Sequence, residues 1–183
     1  MKFILIKKTF NDSKMIIDVL KSLLGQAIKY EEDELFITIY HDSVDVLDAN
    51  NSLLSLADDL MFNLFAYNSS FNDIETELKI VKELFLDNDL SSKIYDFKSL
   101  LLAKAVIKNK TEILEFILNN TNIDESFIKG FVKSNLNVSN ASKELYIHRN
   151  TMIYKLDKFK EMTGFDLKNF LDAYIIYSLI KNK

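Results

Sequence analysis

The sequence contains no cysteine, no proline and no tryptophan, and only three glycines and two histidines occur among its 183 residues. The absence of cysteine excludes disulfides, thiol catalysis and cysteine metal sites. His41 and His148 are far apart in the sequence and do not indicate a zinc site. A glycine-rich phosphate loop is also missing. The sequence therefore predicts no catalytic residue, no cofactor and no metal, and we expect that the protein is not an enzyme.

Long apolar runs are absent as well. The apolar part of residues 1–8 is too short for a signal peptide or a membrane span, and no later segment reaches the required length. We therefore expect a cytoplasmic protein that does not enter a membrane. Apolar residues still make up 48% of the chain, which is enough for the packed core of one domain or of two small ones.

The charge of the chain is unevenly distributed. Residues 1–126 carry 13 lysines and 22 acidic residues, a net charge of −9, whereas residues 127–183 carry nine lysines, one arginine and five acidic residues, a net charge of +5. Such an asymmetry favours contact between the basic segment and a polyanion. The alternative is a solvated basic surface without a special purpose.

The first third of the chain has patterns typical of a mixed α/β region. Short apolar runs predict strands over residues 3–6 and 35–40, and residues 27–30 are expected to pair with the second strand across the acidic turn 31–34. Helical spacing of apolar residues predicts helices over 15–24, 53–65 and 74–86, the first of them capped within residues 11–13.

The strand signal fades from Ser91 onward. Residues 100–107 and 112–118 are apolar and helical in pattern, with Thr111 as the expected cap of the second stretch, and residues 119–122 favour a boundary. The predicted fold class is α+β, with a small mixed α/β region followed by an all-α helix-turn-helix bundle. This boundary divides the chain into residues 1–120 and residues 121–183.

Residues 124–183 predict four helices. Asp124 is the expected cap of the first helix and Ser139 that of the second. The third helix is expected to bury Met152, Leu156 and Phe159, spaced i, i+4, i+7, and to end at Gly164. The fourth helix is predicted from about residue 166 to residue 180, with these residues buried: Leu167, Phe170, Leu171, Tyr174 and Ile175.

Two short helices joined by a tight turn, with polar residues opening the second, are typical of a helix-turn-helix that reads the major groove. Arg149 is the only arginine in the chain, and its planar guanidinium can donate two hydrogen bonds to one guanine. We expect Arg149 to contact a base edge. His148 and Asn150 are expected to contact bases or neighbouring phosphates, although His148 is equally well explained as a helix cap.

Other polar residues of this segment are expected to contact the DNA backbone. Thr151 and Tyr154 can donate to phosphate oxygens, and Lys155 and Lys158 supply positive charge. The backbone amides of Ser139 and Asn140, at the start of the preceding helix, can hold a phosphate. We assign residues 121–183 to DNA binding and residues 1–120 to a sensor or dimerisation region. The alternative is a helical bundle that does not bind DNA, because the same apolar spacing occurs in any small bundle.

Residues 145–156 and 161–167 resemble the C-terminal DNA-binding domain of PucR-type bacterial regulators, a group that includes regulators of purine catabolism and of sugar-diacid use. The shared signature is His-Arg-Asn-Thr, then Tyr-Arg-Leu, then Thr-Gly-x-Asp-Leu, and the resemblance covers about 60 residues. Lys155 replaces the usual arginine. The resemblance implies a transcription factor that binds double-stranded DNA as a homodimer or larger oligomer, with an upstream sensor region. Whether a small-molecule effector acts on that region stays open.

Members of this group often carry a degenerate GGDEF-like domain before the helix-turn-helix. Residues 30–36 lie in a predicted hairpin that follows a strand and a helix, but both glycines of that motif are absent. Because Glu31 and Glu32 would repel a phosphate, a GGDEF-like domain here is expected to be inactive. An exposed acidic turn explains the segment equally.

Two other functions remain open from the sequence. One is a small-molecule or nucleotide sensor whose helical tail only mediates oligomerisation, and the other is an adaptor that binds proteins through its many Phe and Leu side chains. For a dimer, the candidate interfaces are the apolar helices between Leu53 and Leu118 and the last helix with Tyr174, Tyr177 and Leu179.

Overall fold

The computed structural model describes residues 1–10, 12–25, 28–42, 46–86 and 90–180. The chain forms two compact units, Met1–Ala103 and Lys104–Lys183. The described strands all lie in the first unit, and the described part of the second unit consists of helices and their connections. The predicted α+β class, with a small mixed sheet followed by a helical region, is confirmed.

The first unit is built on one sheet with the strand order β2-β3-β1-β4-β5. The strands are β1 (Lys2–Lys7), β2 (Lys29–Glu32), β3 (Phe36–His41), β4 (Phe65–Asn68) and β5 (Lys93–Tyr95). β1 is antiparallel to both β3 and β4, β2 is antiparallel to β3, and β4 is parallel to β5. The first four strands and their helices follow the split βαββαβ arrangement.

The helices of this unit are α1 (Ser13–Leu24), α2 (Leu47–Asp59), α3 (Ile74–Leu86) and α4 (Phe97–Ala103). α1 and α2 pack against each other. Together with the sheet they enclose one apolar cluster, which includes Ile4, Ile39, Ile16, Leu20 and Leu53. Because alternate residues of a strand face opposite sides of a sheet, the fully buried run 3–6 of β1 contributes side chains to both faces.

A buried carboxylate fixes the connection between β4 and α3. The side chain of Glu77 is fully buried and accepts hydrogen bonds from the Tyr67 hydroxyl at 2.6 Å and from the Ser70 amide at 2.8 Å. The amide of Phe71 donates to the same carboxylate. Burial raises the pKa of Glu77, although these hydrogen bonds favour its charged form.

Most predicted elements of the first unit are confirmed. Strands occupy residues 3–6 and 36–40, β2 pairs with β3, and α3 has the predicted bounds. The carboxylate of Asp12 caps α1 by accepting from the Lys14 and Met15 amides, whereas Asn11 and Ala27 lie outside the described residues. The acidic turn is shorter than predicted, because Glu31 and Glu32 belong to β2.

Three boundaries in this unit were predicted wrongly. The helix expected over 53–65 ends at Asp59, and Phe65 belongs to β4, because the left-handed Met61 (φ 54°) turns the chain toward the sheet. The helix expected over 100–107 is α4, which ends at Ala103. The short strand β5 lies beyond Ser91, where its three residues are too few to show an alternating pattern.

The second unit contains α5 (Lys110–Thr121), α6 (Glu125–Lys133), α7 (Val138–Glu144), α8 (Arg149–Thr163) and α9 (Phe170–Ile180). α5 packs against α8 and α9, and α6 packs against α7 and α9. Met152, Leu156 and Phe159 are fully buried, so the predicted inward face of α8 is confirmed. Gly164 ends this helix in the left-handed conformation (φ 76°), as predicted.

Two predicted caps in this unit are wrong and one is confirmed. Thr111 lies inside α5, which Asn109 precedes. Ser139 lies inside α7, whose cap is Asn137, because the Asn137 side chain accepts from the Asn140 amide at 3.0 Å. The predicted cap Asp124 accepts from the Phe127 amide at 2.8 Å. The proposed boundary segment 119–122 lies at the end of α5, and the division at residues 120/121 stays a prediction.

The last helix buries a different face from the one predicted. α9 begins at Phe170, and Phe170, Leu171 and Tyr174 are 71%, 63% and 60% exposed. Leu167, in the preceding loop, is buried as predicted, and Ile175 is half-buried. The side chains that α9 buries are Asp172, Ala173, Ile176, Leu179 and Ile180.

Candidate DNA-binding surface

A tight connection orients α7 relative to α8. The Leu145 amide donates to the Ala141 carbonyl at 2.9 Å, and the Ile147 amide donates to the Ser142 carbonyl at 3.0 Å. Between them Tyr146 adopts a left-handed conformation (φ 53°), which is unfavourable for an L-residue with a Cβ. Leu145 and Ile147 are half-buried. The chain therefore reverses within three residues and enters α8 at Arg149.

Gly130 allows α6 to approach this turn closely. A Cβ atom at position 130 would lie 2.6 Å from Cδ2 of Leu145 and 3.0 Å from its Cγ. The carboxylate of Glu144 also accepts a hydrogen bond from the Ser134 hydroxyl at 2.8 Å, which joins the end of α6 to the end of α7. α6 thus supports the turn through one close apolar contact and one polar contact.

His148 is the N-cap of α8. Its backbone is extended (φ −64°, ψ 142°), and its Nδ1 accepts a hydrogen bond from the Asn150 amide at 3.2 Å. An imidazole that accepts at Nδ1 carries its proton at Nε2 when it is neutral. The cap interpretation of His148 therefore has direct geometric support, while Nε2–H remains a potential donor to a phosphate or a base.

The sequence-predicted site residues fall into two groups by exposure. One group is exposed and lies on α7, at the cap residue before α8, or in the first two turns of α8. Its members are Ser139, Asn140, His148, Arg149, Asn150, Thr151 and Tyr154. The other group, Lys155 and Lys158, is half-buried. Tyr154 is 65% exposed. The structure thus gathers the predicted base-contacting residues at the N-terminal end of α8, where a recognition helix presents them.

Lys155 points toward α6. Its Nζ lies 5.3 Å from the centroid of the Phe127 ring, within the range of a cation–π interaction. The Ser126 hydroxyl, the Phe127 amide and the positive charge of Lys155 lower the pKa of Asp124. The ammonium group of Lys155 therefore has intramolecular partners, and its predicted contact with DNA stays a prediction.

The outward face of α8 changes charge along its length. Arg149 and Asn150 lie in its first turn, whereas Asp157 and Glu161 are exposed two and three turns later. Asp157 pairs with Lys168 at 2.8 Å. Since DNA phosphates repel carboxylates, the charge pattern favours entry of the N-terminal half of α8 into a groove.

Tyr146 and Lys143 are surface residues of this region that the sequence interpretation did not select. Tyr146 is 96% exposed, and Lys143 is exposed in the last turn of α7. The available signal was their position at the end of the helix before the turn.

The described residues contain no group of three or more His, Cys, Asp or Glu side chains arranged to hold a metal ion. No helix among them has both the length and the apolar character needed to cross a bilayer.

Comparison with protein families identifies the segment that contains this surface. Residues 127–181 match the PucR C-terminal helix-turn-helix domain. The predicted resemblance is therefore confirmed, and the PucR-type domain spans α6 to α9.

Two curated proteins are similar to parts of the chain. The uncharacterized protein YxkF of Bacillus subtilis (strain 168) is 42% identical over 50 residues, which are 27% of this chain and 17% of that protein. The carbohydrate diacid regulator of Escherichia coli (strain K12) is 30% identical over 103 residues, 56% of this chain and 25% of that protein. The matched parts thus amount to a quarter or less of these relatives' lengths.

One solved structure is similar over most of the chain. The regulator of polyketide synthase expression from Bifidobacterium adolescentis aligns with 97% of this chain and 77% of its own, with a TM-score of 0.48 and 17% identity. The PucR-type domain and the similarity to the carbohydrate diacid regulator point to regulatory proteins rather than to enzymes.

Proposed function

We propose that this protein is a sequence-specific transcriptional regulator that binds double-stranded DNA through its PucR-type domain and acts as a homodimer. The observation that carries the proposal is the exposed run His148–Arg149–Asn150–Thr151 at the start of α8. Within the described part of the chain, no salt bridge engages Arg149. A guanidinium exposed at this end of the helix is suited to bidentate contact with guanine.

The remaining predicted residues take roles that fit their positions. Asn150 would contact a base edge, and Thr151 and Tyr154 would donate to phosphates on either side. Ser139 and Asn140 are exposed near the start of α7, where they would contact the backbone of the same site. His148 would hold the first turn of α8 and donate from Nε2. Lys158 would supply charge, with a smaller contribution from Lys155.

The experiment is an in vitro selection of binding sites from random duplex DNA, followed by fluorescence anisotropy on the selected site and on a scrambled duplex across a salt series. We expect the wild type to prefer the selected site. Arg149→Lys keeps the charge but removes the planar fork, so it should lose about 1–3 kcal/mol on the selected site and little on scrambled DNA. Equal losses on both duplexes would contradict the role of Arg149.

We further propose that the first unit, within the predicted region 1–120, senses a small molecule and that the protein acts in the cytoplasm. A groove of about 830 Å³ lies beside β2, β3 and the start of α3. Its apolar part includes Ile28, Tyr40 and Leu78. The segment compared with the GGDEF motif gives no support for catalysis, because the carboxylate of Asp33 is already engaged within the protein. It accepts hydrogen bonds from the Leu35 and Phe36 amides and pairs with Lys82 at 2.7 Å.

The sensor proposal is tested by thermal denaturation of the full chain against a panel of metabolites and nucleotides. A ligand that binds only the folded state raises the unfolding temperature. Substitution of Tyr40, which lines the groove, should remove the shift while the unliganded melting temperature stays within a few degrees. A shift that survives this substitution would place the ligand elsewhere.

A further inference from the structure

An exposed apolar surface lies on α9. Phe170, Leu171 and Tyr174 are each more than half exposed, and the Phe170 and Tyr174 rings stack with centroids 6.3 Å apart. The Asn169 side chain accepts from the Leu171 amide at 2.9 Å, which fixes the start of the helix. We call these three exposed side chains the α9 ridge.

A groove adjoins the α9 ridge. It has a volume of about 360 Å³ and is lined by the end of α6, the loop after it, and α9. The loop contains two consecutive left-handed residues, Asn135 (φ 55°) and Leu136 (φ 59°), and both line the groove. Phe170 and Tyr174 form its other wall. A protruding ridge and a recess therefore lie side by side on one surface.

The groove beside the ridge is apolar rather than charged. Among the described residues, the side chains that line it include no charged group. Asp172, the one carboxylate within α9, is buried and accepts a hydrogen bond from the Asp166 amide at 2.7 Å. An apolar partner would bury the surface without repulsion.

A second copy of this chain fits these features. In a two-fold interface the same patch is present on both partners, so a ridge that lies beside a recess can enter the recess of the other copy. We propose that the α9 ridge and its adjoining groove form the two-fold interface of a homodimer. This inference rests on the proposed function, in which two recognition helices bind two half-sites.

The area of the surface indicates a weak dimer. A specific interface buries about 800 Å² on each partner. An aromatic side chain supplies about 150–250 Å² when fully buried. Since Phe170, Leu171 and Tyr174 are already partly buried, their exposed parts together supply roughly half of one side. The groove residues Val132, Leu136 and Tyr177 add to this area. The interface is thus at the small end of the range, and we expect a dissociation constant near the micromolar level that cognate DNA lowers.

The first test is sedimentation velocity of the full chain over a micromolar concentration series, without DNA. Phe170→Glu and Tyr174→Glu place like charges at the axis and should weaken the dimer about 30-fold or more. Val106→Glu is the matched control, because Val106 is 64% exposed in the same unit and should leave the dimer unchanged. Circular dichroism melts show whether each variant is folded.

The second test uses the absence of cysteine from the chain. A disulfide requires Cα atoms about 4.4–6.8 Å apart, so a single cysteine cross-links two copies only near the two-fold axis. Leu171→Cys or Tyr174→Cys should give a cross-linked dimer on mild oxidation, whereas Val106→Cys should remain largely uncross-linked. Reduction should reverse the product.

The outcomes separate this inference from the proposed function. A wild type that stays monomeric at every concentration, or a dimer that both glutamate variants leave unchanged, overturns the interface. Binding to a duplex with a single half-site tests the DNA-binding role by itself. Glutamate variants that retain single-site binding but lose preference for a duplex with two half-sites support the interface. If the wild type forms the α9 dimer but does not bind DNA, only the DNA-binding part of the proposed function is refuted.

Discussion

The Nδ1 atom of His148 accepts a hydrogen bond from the backbone amide of Asn150 at the first turn of α8. This contact links the geometry of the helix start to the orientation of Arg149, the next residue. Arg149, the residue proposed to contact a base edge, therefore directly follows a cap whose side chain belongs to the same polar run.

His148→Ala should remove the cap and destabilise the protein by about 1 kcal/mol, with weaker binding to the selected DNA. His148→Asn is the matched variant, because asparagine is a good N-cap but lacks Nε2. We would measure unfolding by chemical denaturation and binding by anisotropy. If asparagine restores stability and affinity together, His148 acts only as a cap. If asparagine restores stability but the affinity for DNA stays low, the Nε2 atom of His148 contacts DNA.

Lys158→Ala should weaken binding to all duplexes alike and make the slope of log K against log salt shallower by about one unit. Lys155→Ala should change the slope less, because the Lys155 ammonium lies over the Phe127 ring. Its main effect should be a small loss of stability, about 0.5–1 kcal/mol, as expected for a partly exposed cation–π pair. The measurement is anisotropy across a salt series, with denaturant unfolding in parallel. Equal slope changes for the two variants would contradict this distinction.

Gly130→Val should displace Leu145 and disturb the turn before α8. A β-branched side chain at this position would overlap Leu145, and overpacking of this kind typically costs about 1–3 kcal/mol. We expect lower stability and weaker DNA binding together. Gly130→Val combined with Leu145→Ala relieves the overlap and should recover part of both losses. Independent, additive effects in this double-mutant cycle would show that the contact does not matter.

The buried Glu77 should make stability depend on pH. Its pKa is raised in the folded protein, so the folded state retains this proton after the unfolded state has released it. The free energy of unfolding contributed by this group therefore falls as pH rises from about 4.5, the unfolded value, through the folded pKa, and is constant above it. Glu77→Gln should remove that part of the pH profile while keeping an acceptor for Tyr67. If the free energy of unfolding depended on pH in the same way in the wild type and in the variant, the assignment of this pH dependence to Glu77 would be contradicted.

Local patterns were sufficient for much of the second unit. Met152, Leu156 and Phe159 recur at helical spacing on a helix whose other face is polar, so their burial could be predicted without a structure. Gly164 closes that helix because glycine tolerates the left-handed conformation. The run from His148 to Thr151, and the resemblance that it carries, were also available from the residues alone.

The sequence alone could not decide between two local structures that fit the residues equally well. Ser139 and Asn137 are both good N-cap residues, and only the position of the Asn140 amide, 3.0 Å from the Asn137 side chain, decides between them. Likewise, Leu60 and Leu64 continue the apolar spacing of α2. The chain leaves the helix at Asp59, since hydrogen bonding of β4 to β1 stabilises an extended conformation from Phe65 onward.

The sequence by itself determined the first three strands, the four helices from α6 to α9, the basic charge of the last segment and the helix-turn-helix signature, because these depend on residues close together in the chain. The tertiary structure decided the orientation of Lys155 and the exposed face of α9. That helix is apolar on nearly all sides, so spacing favours no face. Packing against α5 and α6 buries Ala173 and Ile176 and leaves Phe170, Leu171 and Tyr174 exposed.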